Sequence, residues 1–74
     1  MNNQRRKRLE TAAQLLEEAK ANIEEVMEEE QEAYDNLPEG IKYSERGEQM
    51  ESNAGQLEEH VDTIDEVMES IGEM

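Results

Sequence analysis

From Met50 onward the apolar side chains keep a fixed spacing. Met50, Ala54, Leu57, Val61, Ile64, Met68 and Ile71 step by 4, 3, 4, 3, 4 and 3 residues. An α-helix has about 3.6 residues per turn, so this spacing draws one apolar seam along one side of a helix. Such a seam must be buried against another helix, which restricts the chain to helical architectures.

A second ladder lies upstream. Leu9, Leu16, Ile23 and Leu37 share a seven-residue repeat in which Glu30 takes the missing rung, and Ala12, Ala19, Val26 and Ala33 repeat three residues later. Ala13, Met27 and Tyr34 widen this stripe. The expected core seam is therefore Leu9, Leu16, Ile23 and Val26 against Met50, Leu57, Val61, Ile64, Met68 and Ile71. Between the ladders, Asn36-Leu37-Pro38-Glu39-Gly40 combines the two strongest helix-breaking residue types. Ser44 then suits the N-cap of a second helix with Glu45 and Glu48 in its first turn. The spacing predicts helix 1 over about 4–36, a turn over about 37–44 and helix 2 over about 45–72.

A short connection folds the helices back antiparallel, as a coiled-coil-like hairpin. With the turn centred near residues 40–41, facing residues have numbers totalling about 81. Leu16 is then expected to meet Ile64 or Asp65, Ile23 to meet Leu57 or Glu58, and Ala33 to meet Glu48 or Gly47. The same alignment sets Arg5, Arg6, Lys7 and Arg8 beside the acidic stretch from Asp65 to Glu73. Glu30, on a seam position, either reaches water where the helices splay or pairs with Arg46. Two helices bury little surface, and a chain of 74 residues commonly completes its core by association. The expected assembly is a homodimer forming a four-helix bundle, all-α throughout.

Charge narrows the function. The chain carries 21 Asp and Glu against 7 Lys and Arg, a net charge of −14. Leu, Ile and Val make up only about one residue in six, which by composition alone is the profile of a disordered chain; the heptads argue otherwise, because the few apolar residues fall on matching seams. The acids exclude direct nucleic-acid binding and anionic lipid surfaces, and favour a protein partner with a basic surface. Helix 1 holds nine acids between Glu10 and Glu32, and helix 2 holds ten between Glu45 and Glu73. At about 1.5 Å per residue, the pair offers roughly one negative charge per 2 Å of length, close to the ~1.7 Å of duplex DNA. Carboxylates also present the forked acceptor geometry that arginine recognises in phosphate. The candidate partner-binding residues are Glu24, Glu25, Glu28, Glu29 and Glu32 of helix 1, with Glu58, Glu59, Asp62, Asp65, Glu66 and Glu69 of helix 2.

Signatures of catalysis are sparse. With no cysteine there is no disulfide, thiolate zinc site or cysteine nucleophile, and no apolar run approaches the roughly 20 residues of a membrane span. His60 is the one histidine and lacks a glutamate three residues before it, so the carboxylate–histidine pattern of di-iron bundles is missing. Glu24-Glu25-Val26-Met27-Glu28 and Glu59-His60-Val61-Asp62 resemble the magnesium motifs of all-α nucleotide pyrophosphohydrolases. In a chain this rich in Glu such spacings recur by chance, and on the expected seam Glu24, Glu25 and Glu28 point away from the second helix. No cofactor is expected, and the reading is non-enzymatic, with a cytoplasmic location.

The turn carries a more particular signal. Residues 29–41, Glu-Glu-Gln-Glu-Ala-Tyr-Asp-Asn-Leu-Pro-Glu-Gly-Ile, and 44–51, Ser-Glu-Arg-Gly-Glu-Gln-Met-Glu, resemble a group of short acidic proteins from phages, prophages and mobile elements of Gram-positive bacteria. The resemblance extends over nearly the whole chain and is most distinctive at Tyr34, Asp35, Asn36, Leu37, Pro38, Ser44, Glu45, Arg46 and Gly47. It implies an accessory gene product acting in a bacterial host, in a class that includes inhibitors of defence nucleases. The expected partner is thus a nucleic-acid-binding or defence protein of the host. An assembly or scaffold coiled coil, acidic only for solubility, is the alternative.

Overall fold

The computed structural model describes all residues, 1–74. The chain is all-α: α1 (Asn3–Asp35), α2 (Glu39–Lys42) and α3 (Glu45–Gly72). α1 and α3 lie antiparallel in a rod of 58 × 15 × 12 Å. The Asn2 side chain accepts a hydrogen bond from the Arg5 backbone N–H at 2.8 Å and so opens α1 one residue earlier than expected. α1 stops where Pro38 bars the preceding residue from helical geometry.

The connection is itself structured. The Pro38 carbonyl accepts from the N–H groups of Ile41 and Lys42 at 2.9 and 3.0 Å, closing the single turn α2 inside what the sequence suggested was an open turn. The Lys42 ammonium sits 5.6 Å from the centre of the Tyr34 ring, which ties α2 to the end of α1. Ser44 caps α3, accepting from the Gly47 N–H at 3.4 Å and donating its hydroxyl to the Ile41 carbonyl. A Cβ on Gly47 would press against the carbonyl oxygen of Lys42 and lie 2.6 Å from that of Ile41. The first turn of α3 therefore packs on α2 rather than on α1.

That stacking shifts the register. Lys20 Nζ meets Asp65 Oδ1 at 2.7 Å, and the Tyr34 phenol lies close enough to Glu51 for that carboxylate to raise it. The numbers in each pair total 85, so α3 is displaced by one helical turn from the alignment expected near 81. The expected facing of Ala33 with Glu48 or Gly47 gives way for the same reason: Gly47 is occupied by α2.

On α3 the predicted ladder is the one turned inward: Ala54 and Val61 are buried, and Met50, Leu57, Ile64, Met68 and Ile71 are half-buried. On α1 the ladder of Leu9, Leu16, Ile23, Glu30 and Leu37 is half-buried too. Its companion is different. The second inward ladder is Ala13, Lys20, Met27 and Tyr34, four residues on from the first, rather than Ala12, Ala19, Val26 and Ala33, three residues on. Val26, assigned to the core from sequence, is 50 % exposed, and Ala19 and Ala33 are exposed as well. Both ladders have the right period, and a polar residue at position 20 hides the correct one. Lys20 takes that position because Asp65 neutralises its ammonium while its stem packs between the helices.

Candidate interaction surface

The seam divides the hairpin into two flanks of opposite character. On one flank an open groove runs between the helices, lined by Glu28, Gln31, Glu32 and Asp35 of α1 and by Glu51 and Glu58 of α3, with Met27, Ala54 and Gly55 along its floor. Its polarity follows from the heptad: the positions beside the seam on this side are Glu17, Glu24 and Gln31 in α1 and Glu51, Glu58 and Asp65 in α3. Inside the groove the Gln31 amide donates to Asp35 Oδ1 at 3.1 Å, and the Tyr34 phenol neighbours Glu51. No basic side chain pairs with these groove carboxylates, since the ion pairs of the molecule are Lys20 with Asp65 and, at 3.7 Å, with Glu24.

The predicted partner-binding acids separate into three sets. Glu28, Glu32 and Glu58 line the groove, joined by Asp35 and by Glu51, which sequence reading did not include. Glu24 and Asp65 flank Lys20 at the seam edge. This corrects the expectation that Glu24 and Glu28 point away from α3: with the companion ladder at Ala13, Lys20, Met27 and Tyr34, both come to the flank of the interface. Glu25, Glu59, Asp62, Glu66 and Glu69 are exposed, and Glu29 is exposed on the opposite side of α1. No three of the carboxylates and the histidine are placed to hold a metal ion together.

Two groups have perturbed titrations. The Lys20 ammonium is held above its ordinary value, first by its hydrogen bond to Asp65, against the opposing effect of desolvation, and then by the charges of Asp65, Glu17 and Glu24. The Tyr34 phenol is also raised, first by hydrogen bonding to Glu51, then by desolvation and by the charge of Glu51. Both belong to the contacts that set the register, so these residues act as structural pins at the two ends of the groove.

The other flank is nearly free of acid. On α3 two adjacent ladders, Asn53–His60–Val67 and Gln49–Gln56–Thr63–Ser70, hold no carboxylate although the helix has nine. On α1 the facing ladders are Ala12–Ala19–Val26–Ala33 and Leu15–Asn22–Glu29, with one. Val26 lies in one groove with Glu30, Asn53, Gln56, Leu57 and His60, which places the neutral ladders of both helices on the same side of the rod, with Glu30 at their edge. Leu15, Val26 and Val67 are 61 %, 50 % and 44 % exposed there. Sorting the acids by heptad position would have revealed this division from sequence.

Three remaining expectations resolve here. Glu30 is half-buried on the neutral side with Asn53, Gln56 and His60 and makes no ion pair with Arg46, which is exposed because the register shift carries it past the end of α1. The exposed His60 borders that same groove. Arg5, Arg6, Lys7 and Arg8 make no ion pair with the end of α3, although Arg6 borders Ile71 and Gly72. No helix is long and apolar enough to cross a membrane. No family model, curated protein or solved structure matches the chain.

Proposed function

We propose that this chain is a non-enzymatic interaction protein of phage type. It binds and inhibits a basic host protein through its acidic helices, imitating nucleic acid to block a defence or DNA-processing factor. The observation that carries this reading is the unneutralised groove of Glu28, Glu32, Asp35, Glu51 and Glu58. Carboxylates left without basic neighbours repel one another, and a line of arginines and lysines from a partner relieves that repulsion. The charge spacing along the hairpin, near that of a duplex, matches a surface evolved to hold phosphates. The resemblance of residues 29–51 to phage accessory proteins points in the same direction, and in this reading the protein acts in the bacterial cytoplasm. In this reading the hairpin works as a homodimer, a four-helix bundle that displays two acidic grooves.

The test is capture on immobilised hairpin from a bacterial lysate at low ionic strength. A basic nucleic-acid-handling protein should be retained and then released by duplex DNA. A captured partner that duplex DNA does not displace would refute mimicry. The second reading, an assembly coiled coil, draws on the exposed uncharged flank with Leu15 and Val26. Its partner would be held more firmly as salt rises, the opposite of the acidic groove.

A further inference from the structure

Within the whole chain only Ala54 and Val61 form a buried apolar core, so the hairpin by itself shelters little. α1 compensates with a second stripe, turned about 90° from the first by the 3.6-residue period. Helices in a four-helix bundle need this arrangement, because each faces two neighbours. The stripe is also the part of the surface where a chain of net charge −14 can approach another of the same charge with the fewest carboxylates, Glu29 within the stripe and the half-buried Glu30 beside Val26.

We infer that the acid-poor flank is the surface on which a second copy of this chain docks, with α1 antiparallel to α1 and Leu15 of each copy against Val26 of the other. The inference rests on the dimer proposed above and names its face and direction. The alignment comes from the order of residues along the stripe. Reversing it about a point between residues 20 and 21 sets Leu15 against Val26, Ala19 against Asn22 and Ala12 against Glu29. The two largest exposed apolar side chains of the α1 stripe then meet. At the centre each pair joins the small Ala19 to the uncharged amide of Asn22, so the backbones approach without opposing charges of one sign. A lone Asn within a helix–helix interface also favours one register over its neighbours.

Charge selects the same direction. Arg5 and Arg8 continue the stripe toward the N-terminus and have no ion-pair partner within the hairpin. In the antiparallel alignment Arg8 faces Ala33 of the second copy, one turn from Glu29, the single acid of the stripe. Arg5 faces Asn36, one turn from Glu32. A parallel pair would set Arg5 and Arg8 against their own copies, like charge on like. Two of the four cations at the start of α1, Arg5 and Arg8, unfavourable there for an isolated helix, thus gain counter-charges from the second copy.

The chain has no native cysteine, so single engineered thiols report position directly. In the antiparallel pair, Leu15→Cys of one chain reaches Val26→Cys of another. Two Leu15→Cys chains, or two Val26→Cys chains, hold their thiols about 16 Å apart along the axis, beyond the roughly 7 Å Cα limit of a disulfide. The expected result is a mass near twice 8.6 kDa by sedimentation, with a mixed disulfide dominating when the two variants are oxidised together. Val26→Glu, at an exposed site, should halve the mass and leave the helical circular dichroism in place. A dimer that cross-links like with like, or that Val26→Glu does not disturb, overturns this face and direction while leaving the dimer standing. A mass of 8.6 kDa at every concentration overturns both.

Discussion

A lysine on a helix–helix seam gives up part of its hydration, and Lys20 does so with Asp65 2.7 Å away and only 20 % of its side chain exposed. A polar pair at one seam position specifies register, since sliding either helix by a turn strands the charge. Asp65→Asn is therefore expected to lower the melting temperature in the native background and to leave it nearly unchanged in a Lys20→Leu background, a coupling measurable by a double-mutant cycle. The titrations of Lys20 and Tyr34 add a pH dependence. Their ordinary values are 10.5 and 10.0, and both are raised in the fold. The folded state thus holds these protons more tightly than the unfolded chain. Their stabilisation is complete below the ordinary values and is lost as pH rises through the higher folded ones. Thermal melts should decline above about pH 10, and less so in a Tyr34→Phe, Lys20→Leu variant.

Among the elements, the junction of α2 with α3 decides how the helices align. Gly47 lets α3 lie against the carbonyls of α2, whereas Gly55 faces open space. The same substitution should act in opposite directions at the two sites. Gly47→Ala is expected to cost about 1–3 kcal/mol through overpacking, and Gly55→Ala to add about 1 kcal/mol of helix propensity; denaturant melts of the two variants check both. This junction also marks where sequence reading stopped. The ladder of α3, the Ser44 cap and the break at Pro38 are local patterns and could be read directly. The one-turn shift was not legible, because it depends on α2 forming inside the turn and on Gly47 seating against it. The companion ladder of α1 was misplaced because Lys20 looks like a surface residue until Asp65 is known to face it, while Val26 looks like core. Of the acids lining the groove, Glu28, Glu32 and Glu58 were among those read from sequence as partner-binding while Asp35 and Glu51 were not, because the division between groove, seam edge and open surface follows from that same register.

Across the molecule, the division of charge is the organising property. The acids gather on one flank and the outer faces, and the neutral ladders gather on the other, a division that suits the two proposed partners, a basic protein on one side and a second copy on the other. Self-repulsion among the carboxylates should make the fold more stable in added salt and at mildly acidic pH. Melting temperatures that fell under both conditions would refute that account of the charge. The most direct test of the central claim is the affinity of the captured partner for the hairpin, measured across a range of ionic strengths, with and without the substitutions Glu28→Gln, Glu32→Gln and Glu58→Gln together. The account predicts binding that weakens steeply with salt, and a triple variant that binds less tightly with a shallower salt dependence while keeping its helical fold and its mass. Binding that is indifferent to both salt and the three substitutions would contradict it.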